Sequence, residues 1–136
     1  MDLVLDSTLE SVDTAEEAVL REAQDLGFDE DDLHRIGMSV RECMVNAVVH
    51  GNRYNARKKV RFTVSRTPDR LVVSITDEGE GFDIASLPDP LANENLLRHS
   101  GRGLLLIQAF MDEFQLRSRE PKGTEVKMVK YVAKAS

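Results

Sequence analysis

The stretch Ser39–Asn52, SVRECMVNAVVHGN, constrains the fold more than any other part of the chain. Between Cys43 and Val49 every residue is apolar except Asn46. On a helix, Leu33, Ile36, Val40, Cys43, Met44, Ala47 and Val48 form one broad apolar face. Glu42, Asn46 and His50 follow one another at steps of four and share a second stripe. An amide inside a nearly buried helix needs partners, because leaving it unpaired costs about 1–3 kcal/mol. With a carboxylate one turn before it, Asn46 reads in two ways. It is half of a metal or nucleotide site, or it is a satisfied core amide beside a solvated charge.

What surrounds this helix follows from the patterning. Leu3 and Leu5 among polar residues, with Leu9 after them, predict a short first strand. Ser11 or Asp13 can cap a helix that runs to about Leu26, where Gly27 ends it. Val12, Ala15, Val19, Ala23 and Leu26 supply its apolar stripe. Asp29 to Asp32 open the next helix with negative charge, which the macrodipole favours. That helix carries the stretch above and stops near Gly51-Asn52. Residues 53–61 hold five basic side chains and read as a solvated loop.

Strands follow. Val60, Phe62 and Val64 alternate with polar residues, as do Leu71, Val73 and Ile75, and Pro68-Asp69 marks a hairpin between them. Residues 83–100 contain Pro88, Pro90, Asn93 and Asn95 with little periodicity. An irregular segment this long in a small domain is usually functional. Leu104 to Met111 read as a short buried helix. Phe114–Ser118 and Val126–Val132 read as two last strands, joined at Pro121-Lys122-Gly123. Helices early, with strands and one helix late, predict an α+β two-layer sandwich. Its helices pack on one face of a mixed, largely antiparallel sheet. The 136 residues fit one domain, 1–136.

Composition narrows the function. No apolar run approaches the roughly 18–20 residues of a membrane span, and the acidic N-terminus is neither a signal nor a transit peptide. Cys43 is the only cysteine. A disulfide framework or zinc cluster within one chain is excluded, and a reducing cytoplasm is the expected compartment. Residues 1–32 hold twelve Asp/Glu against Arg21 alone, and the net charge is −6. That argues against direct nucleic-acid binding, which needs a basic face. It leaves two readings of the acidic N-terminal part: a surface for a basic protein partner, or a solvated helix.

Three further motifs carry chemistry. Asp77-Glu78-Gly79-Glu80-Gly81 follows directly on a strand. Glycines at alternate positions let a ligand approach the backbone, and a carboxylate at a strand end can accept from an exocyclic amine such as that of adenine. A calcium loop is ruled out because Gly79 and Pro88 occupy two ligand positions. A dinucleotide fingerprint lacks its third glycine, and the chain has no P-loop sequence. The bland alternative is a tight turn. Ser100-Gly101-Arg102-Gly103 leads into the Leu104–Met111 helix and makes an anion or phosphate site, or a hinge. Arg98, His99 and Arg102 could add charge there. Gly123-Thr124 opens the last strand, where Thr124 could meet the base.

The four elements in this order are more specific than any one of them. Glu42-x-x-x-Asn46, Asp77-x-Gly79-x-Gly81, Gly101-x-Gly103 and Gly123-Thr124 resemble the ATP-binding boxes of the GHKL superfamily. That superfamily includes gyrase, mismatch-repair and histidine-kinase ATPase domains. The segments RECMVNAVVHGN, DEGEGFD and SGRGLLLI look most like the bacterial anti-sigma factor serine/threonine kinases. The resemblance implies a Bergerat-type fold that binds ATP or ADP with magnesium. In it Glu42 would be the general base and Asn46 the magnesium ligand. Asp77 would bind the adenine amine with Thr124 nearby, and Gly79 and Gly81 would shape the adenine pocket. Gly101 and Gly103 would lie beside the phosphates, with residues 83–100 as an ATP lid. The implied partners are a sigma factor and an STAS-type antagonist, with no membrane. A homodimer is expected from the resemblance and from a sheet with few evident edge guards. Two other functions remain: a non-catalytic nucleotide-binding switch, and the ATPase module of a histidine-kinase system.

Overall fold

The computed structural model describes residues 1–79, 103–118 and 123–132. The chain opens with strand β1 (Asp2–Asp6) and helix α1 (Leu9–Leu26). Helix α2 (Glu30–Val45) runs without a break into a π-helical turn, Asn46–Gly51. Strands β2 (Lys59–Thr67) and β3 (Arg70–Thr76) follow. Then come helix α3 (Gly103–Phe110) and strands β4 (Glu113–Ser118) and β5 (Thr124–Tyr131).

The five strands lie in the order β1-β2-β3-β5-β4, and each neighbouring pair is antiparallel. The sheet is therefore antiparallel throughout its described strands, not mixed. Strand alternation puts one apolar row across its whole width. Leu3 pairs with Phe62, Phe62 with Ile75, Ile75 with Val126, and Val126 with Leu116. A second row runs Val64, Val73, Met128, Phe114. Helices α1 and α2 cover this face, and Phe62, Leu71, Ile75, Val19, Ile36, Val40 and Met44 are fully buried between the layers. The opposite face carries cross-strand ion pairs: Arg61–Asp2 at 2.7 Å, Lys59–Asp6 at 2.6 Å and Arg117–Glu125 at 2.5 Å. Surface pairs of this kind contribute little to stability. They also revise two expectations. Lys59 and Arg61 belong to β2, so the basic loop ends at Lys58. Asp2 and Asp6 put charge along the β1 edge, one of the sheet's two edges, where the sequence showed few edge guards.

The helix ends follow capping chemistry. Asp29 caps α2, accepting from Asp32 N–H at 2.8 Å. Gly27 closes α1 at φ +87°, in the left-handed region that a Schellman end requires, with Phe28 N–H reaching the Ala23 carbonyl. The α1 cap is Thr8, ahead of the predicted Ser11 or Asp13. Its hydroxyl accepts from Ser11 N–H, so Leu9 falls in the helix and not in β1.

Much of the acidity of the N-terminal part is used inside the fold. Arg41 of α2 holds Asp13 and Glu16 of α1, both at 2.9 Å. Arg66 of β2 holds Glu22 at 3.1 Å and Asp25 at 3.3 Å. Lys130 reaches across the inner layer. Its Nζ donates to the Phe110 carbonyl at the α3 C-terminus (2.8 Å) and lies 3.7 Å from Asp32 in the first turn of α2. A cation is favourable at a helix C-terminus. Helix α3 packs on α2 with its C-terminus at the start of α2.

Candidate nucleotide site

The site begins where α2 changes pitch. Residues 46–51 are wound as a π-helix, where the sequence predicts a continuous α-helix. Such turns often mark functional sites, because a widened turn redirects side chains. Asn46 is the first residue of this turn, and its Oδ1 is buried with no hydrogen-bond donor. A buried polar atom without a partner costs about 1–3 kcal/mol; two stand in this continuous stretch, Ser39 Oγ and Asn46 Oδ1, and the second is the one a turn away from Glu42. One turn earlier, Glu42 is half-buried, and among the described residues it makes no hydrogen bond or ion pair. Burial raises its carboxyl above the ordinary glutamate value, and the His50 side chain draws it partly back down. The bland reading, in which Asn46 is a satisfied core amide, fails. The apolar face behind both residues is as predicted: Ile36, Val40, Cys43, Met44, Ala47 and Val48 are buried, and Leu33 partly so.

The second half of the site lies at the end of β3. Asp77 is 8% exposed. Its Oδ1 accepts from Gly79 N–H at 2.9 Å and Thr124 N–H at 3.2 Å, and its own N–H donates to the Thr124 carbonyl at 3.0 Å. Among the described residues no donor reaches Oδ2. Burial pushes the carboxyl up, against the two backbone donors and nearby Lys58, which pull it down. Three glycines enclose this carboxylate. A Cβ on Gly51 would stand 2.5 Å from Asp77 Oδ2, one on Gly79 would overlap the Gly51 carbonyl, and one on Gly123 would overlap the Asp77 carbonyl. Gly123 also sits at φ +115°, which only glycine adopts without strain. Asp77, Gly79 and Thr124 are thus brought together as one unit. The bare turn proposed as an alternative does not account for a buried carboxylate with one free oxygen.

Asn52 is the residue the sequence reading missed. It is 1% exposed and spends its whole side chain on backbone and hydroxyl partners. Nδ2 donates to Ser7 Oγ at 2.9 Å and the Lys59 carbonyl at 3.0 Å, while Oδ1 accepts from Glu78 N–H at 2.8 Å. One amide therefore ties the end of β1, the start of β2 and the Asp77–Gly79 turn to the end of the helix. The signal was a Gly-Asn pair ending an apolar helix, which reads equally well as a plain helix stop.

Gly81, Gly101, Arg98, His99, Arg102 and the predicted lid, 83–100, lie outside the described residues. Gly103 is the first residue of α3. Among the described residues no three His, Cys, Asp or Glu side chains cluster as a metal site. An all-protein metal cage is therefore not built among the described residues. A single neutral oxygen such as Asn46 Oδ1 fits magnesium, which keeps most of its shell as water and phosphate oxygens.

The model of the histidine kinase-like ATPase domain matches residues 5–130. An anti-sigma F factor of Oceanobacillus iheyensis is 34% identical over 107 residues, 77% of this chain and 73% of that protein. The anti-sigma F factor of Bacillus subtilis is 31% identical over the same shares. A serine-protein kinase RsbW of Staphylococcus epidermidis is 32% identical over 115 residues, 79% of this chain and 71% of the relative. Two solved structures share the fold. A chain of the SiaB–SiaC complex from Pseudomonas aeruginosa has a TM-score of 0.66 at 18% identity, covering 95% of this chain and 88% of its own. The mycobacterial sensor histidine kinase MprB has a TM-score of 0.56 at 19% identity, covering 95% and 97%. Given the antiparallel sheet under α1 and α2, the glycine-enclosed Asp77 and the orphan oxygen of Asn46, the chain belongs to the histidine kinase-like ATPase family, in its anti-sigma factor serine/threonine kinase branch.

Proposed function

We propose that this chain is an ATP-dependent protein serine/threonine kinase that phosphorylates an anti-sigma factor antagonist of the STAS type and so controls the availability of a sigma factor. The observation that carries the reading is the buried, donor-less Oδ1 of Asn46 one turn from the half-buried carboxylate of Glu42. The relatives' names, anti-sigma F factor and serine-protein kinase, support a sigma factor as partner and a serine as acceptor, while the STAS type of the antagonist rests on the resemblance of the motifs.

The roles follow from the chemistry of each group. Asp77 Oδ2 accepts a hydrogen bond from the adenine amine, while its Oδ1 stays fixed by Gly79 and Thr124. Gly51, Gly79 and Gly123 keep the wall of the base pocket free of side chains. Asn46 would hold magnesium; the bound ion would neutralise charge on the phosphates. Glu42 takes the proton of the acceptor hydroxyl as that oxygen forms its bond to the γ-phosphorus and the bond to the ADP oxygen breaks. Its raised pKa suits a base, since a carboxylate less acidic than usual holds a proton better. We assign Gly81, Gly101 and Gly103 to the base and phosphate walls, and residues 83–100 to a lid, on the family's motif alone.

No helix among the described residues is long and apolar enough to cross a membrane. We take the protein to act in the cytoplasm, as a single domain and as a homodimer. Light scattering giving the 15.3 kDa monomer mass at tens of micromolar would exclude the dimer. The decisive experiment is radiolabelled phosphotransfer from Mg-ATP to a candidate antagonist, with sigma-factor binding measured in parallel. Transfer to a serine or threonine is expected. If nucleotide alters sigma binding but no phosphate moves, the non-catalytic switch replaces the kinase.

A further inference from the structure

The loop that joins the π-helical turn to β2, residues 52–58, carries an unusual share of the unpaired positive charge. Eight of the described Lys and Arg side chains are in ion pairs: Arg35, Arg41, Lys59, Arg61, Arg66, Arg70, Arg117 and Lys130. Of the remaining five, Arg53, Arg57 and Lys58 stand in this one loop, and only Arg21 and Lys127 lie elsewhere. Arg53, Tyr54 and Arg57 are exposed, Tyr54 at 52%.

The loop is also firmly built. Asn52 fixes its base with three hydrogen bonds. Tyr54 N–H reaches the Val48 carbonyl at 2.9 Å, Lys58 N–H reaches the Asn55 carbonyl at 3.0 Å, and Asn55 Oδ1 accepts from Arg57 N–H at 2.9 Å. Two successive residues with side chains, Arg53 and Tyr54, are held at φ +51° and +59°. That left-handed geometry is unfavourable for both, and only the surrounding hydrogen bonds keep it. A simple connection would place glycine there. The result is a fixed backbone that presents an exposed aromatic ring and two guanidinium groups, residue types that dominate binding at protein interfaces.

We propose that the 52–58 loop is a docking site for an acidic segment of a protein partner, beside the Asp77–Gly79 turn that Asn52 ties to it. The chemistry selects the partner. Arg53, Arg57 and Lys58 offer donors to carboxylates, Arg bidentately, and because the backbone is already fixed, binding has only their side chains to order. The patch is too small, in a chain of net charge −6, to hold a nucleic acid or an anionic membrane by charge. This inference rests on the loop's charge and geometry, and it is separable from the kinase reading.

The test uses the full chain and a short fluorescent peptide of repeated Glu-Ala units, read by anisotropy at two ionic strengths. Two variants remove the same charge: Arg53→Glu with Arg57→Glu in the loop, and Arg21→Glu with Lys127→Glu away from it. The loop variant should bind the peptide at least about tenfold more weakly, the control variant within about twofold of wild type. Gln in place of Glu at positions 53 and 57 should give an intermediate loss and guards against a folding defect, which melting curves would reveal. Equal weakening in both variants would reduce the effect to net charge and overturn the proposal. So would absence of peptide binding, or tighter binding of a DNA duplex or phosphatidylserine vesicles than of the peptide.

Discussion

Replacing Asp77 by Asn should separate the pocket's shape from its recognition of adenine. The amide has the shape of the carboxylate, and its Oδ1 can still accept from Gly79 N–H and Thr124 N–H, bonds of 2.9 and 3.2 Å in the wild type. Stability is set by two opposing effects. Burial raises the Asp77 carboxyl above its ordinary value of 3.8. A carboxyl raised by folding makes the ionised form a burden on the folded state at neutral pH, and that burden lifts as pH falls through the folded pKa. The neutral amide removes it. Against this, the new Nδ2 lies against Gly51 with no described acceptor, which costs about 1–3 kcal/mol. The two offset, so the variant should fold with a stability within about 2 kcal/mol of wild type. Recognition should suffer more. Nδ2 presents donors to the amine's donors, and the lost bond to a charged acceptor is worth about 1.5–3 kcal/mol, or about 10- to 100-fold in Kd. Calorimetry with ADP should show that loss. Inosine diphosphate, whose 6-oxo group accepts, should lose less or gain. Unchanged ADP affinity in a folded variant would remove Asp77 from the site and refute the reasoning.

Glu42→Gln should still bind Mg-ATP and lose about 10²–10⁴ in phosphotransfer rate, measured with labelled nucleotide. Because burial raises the Glu42 carboxyl, the wild-type rate should begin to fall on acidification at a higher pH than an ordinary glutamate would give. Asn46→Ala should lose magnesium-dependent nucleotide binding in calorimetry. Its Oδ1 has no donor in the fold, so its melting temperature should drop little, by the equivalent of about 1 kcal/mol or less. Gly79→Ala forces a Cβ onto the Gly51 carbonyl, and overpacking against backbone should cost about 1–3 kcal/mol in chemical denaturation.

The legible parts of this chain were those fixed by local pattern. Alternation in Val60–Val64 and Leu71–Ile75 located two central strands, and the apolar periodicity of α2 located the core face. The Glu42–Asn46 spacing placed two polar groups on one stripe, because helical geometry alone decides that. What the pattern left open depends on contacts between distant segments. Thr8 outcompetes Ser11 as a cap because the strand before it ends at Asp6. The π-helical winding of 46–51 has no propensity signature. The enclosure of Asp77 by Gly51 and Gly123 joins positions 26 and 46 residues away, and Asn52 acts across three elements. Neither is visible from spacing. The acidic N-terminal part read as a solvated helix or as a surface for a basic partner, yet Arg41 and Arg66, both far along the chain, take up four of its carboxylates.

The single cysteine gives the molecule a built-in gauge of its own opening. Cys43 is 2% exposed, with its Sγ 3.6 Å from Met128 Sδ of β5, and burial pushes its thiol far above the range in which thiolate forms. A thiol reagent can reach it only when α2 lifts from the sheet, so labelling times that event and no other cysteine adds to the signal. The helix that must lift is the one bearing Glu42 and Asn46. A ligand that grips those side chains should therefore slow labelling by the factor 1 + [L]/Kd. Unmodified wild-type protein then reports occupancy of the site through a chemical clock on the buried face of the same helix.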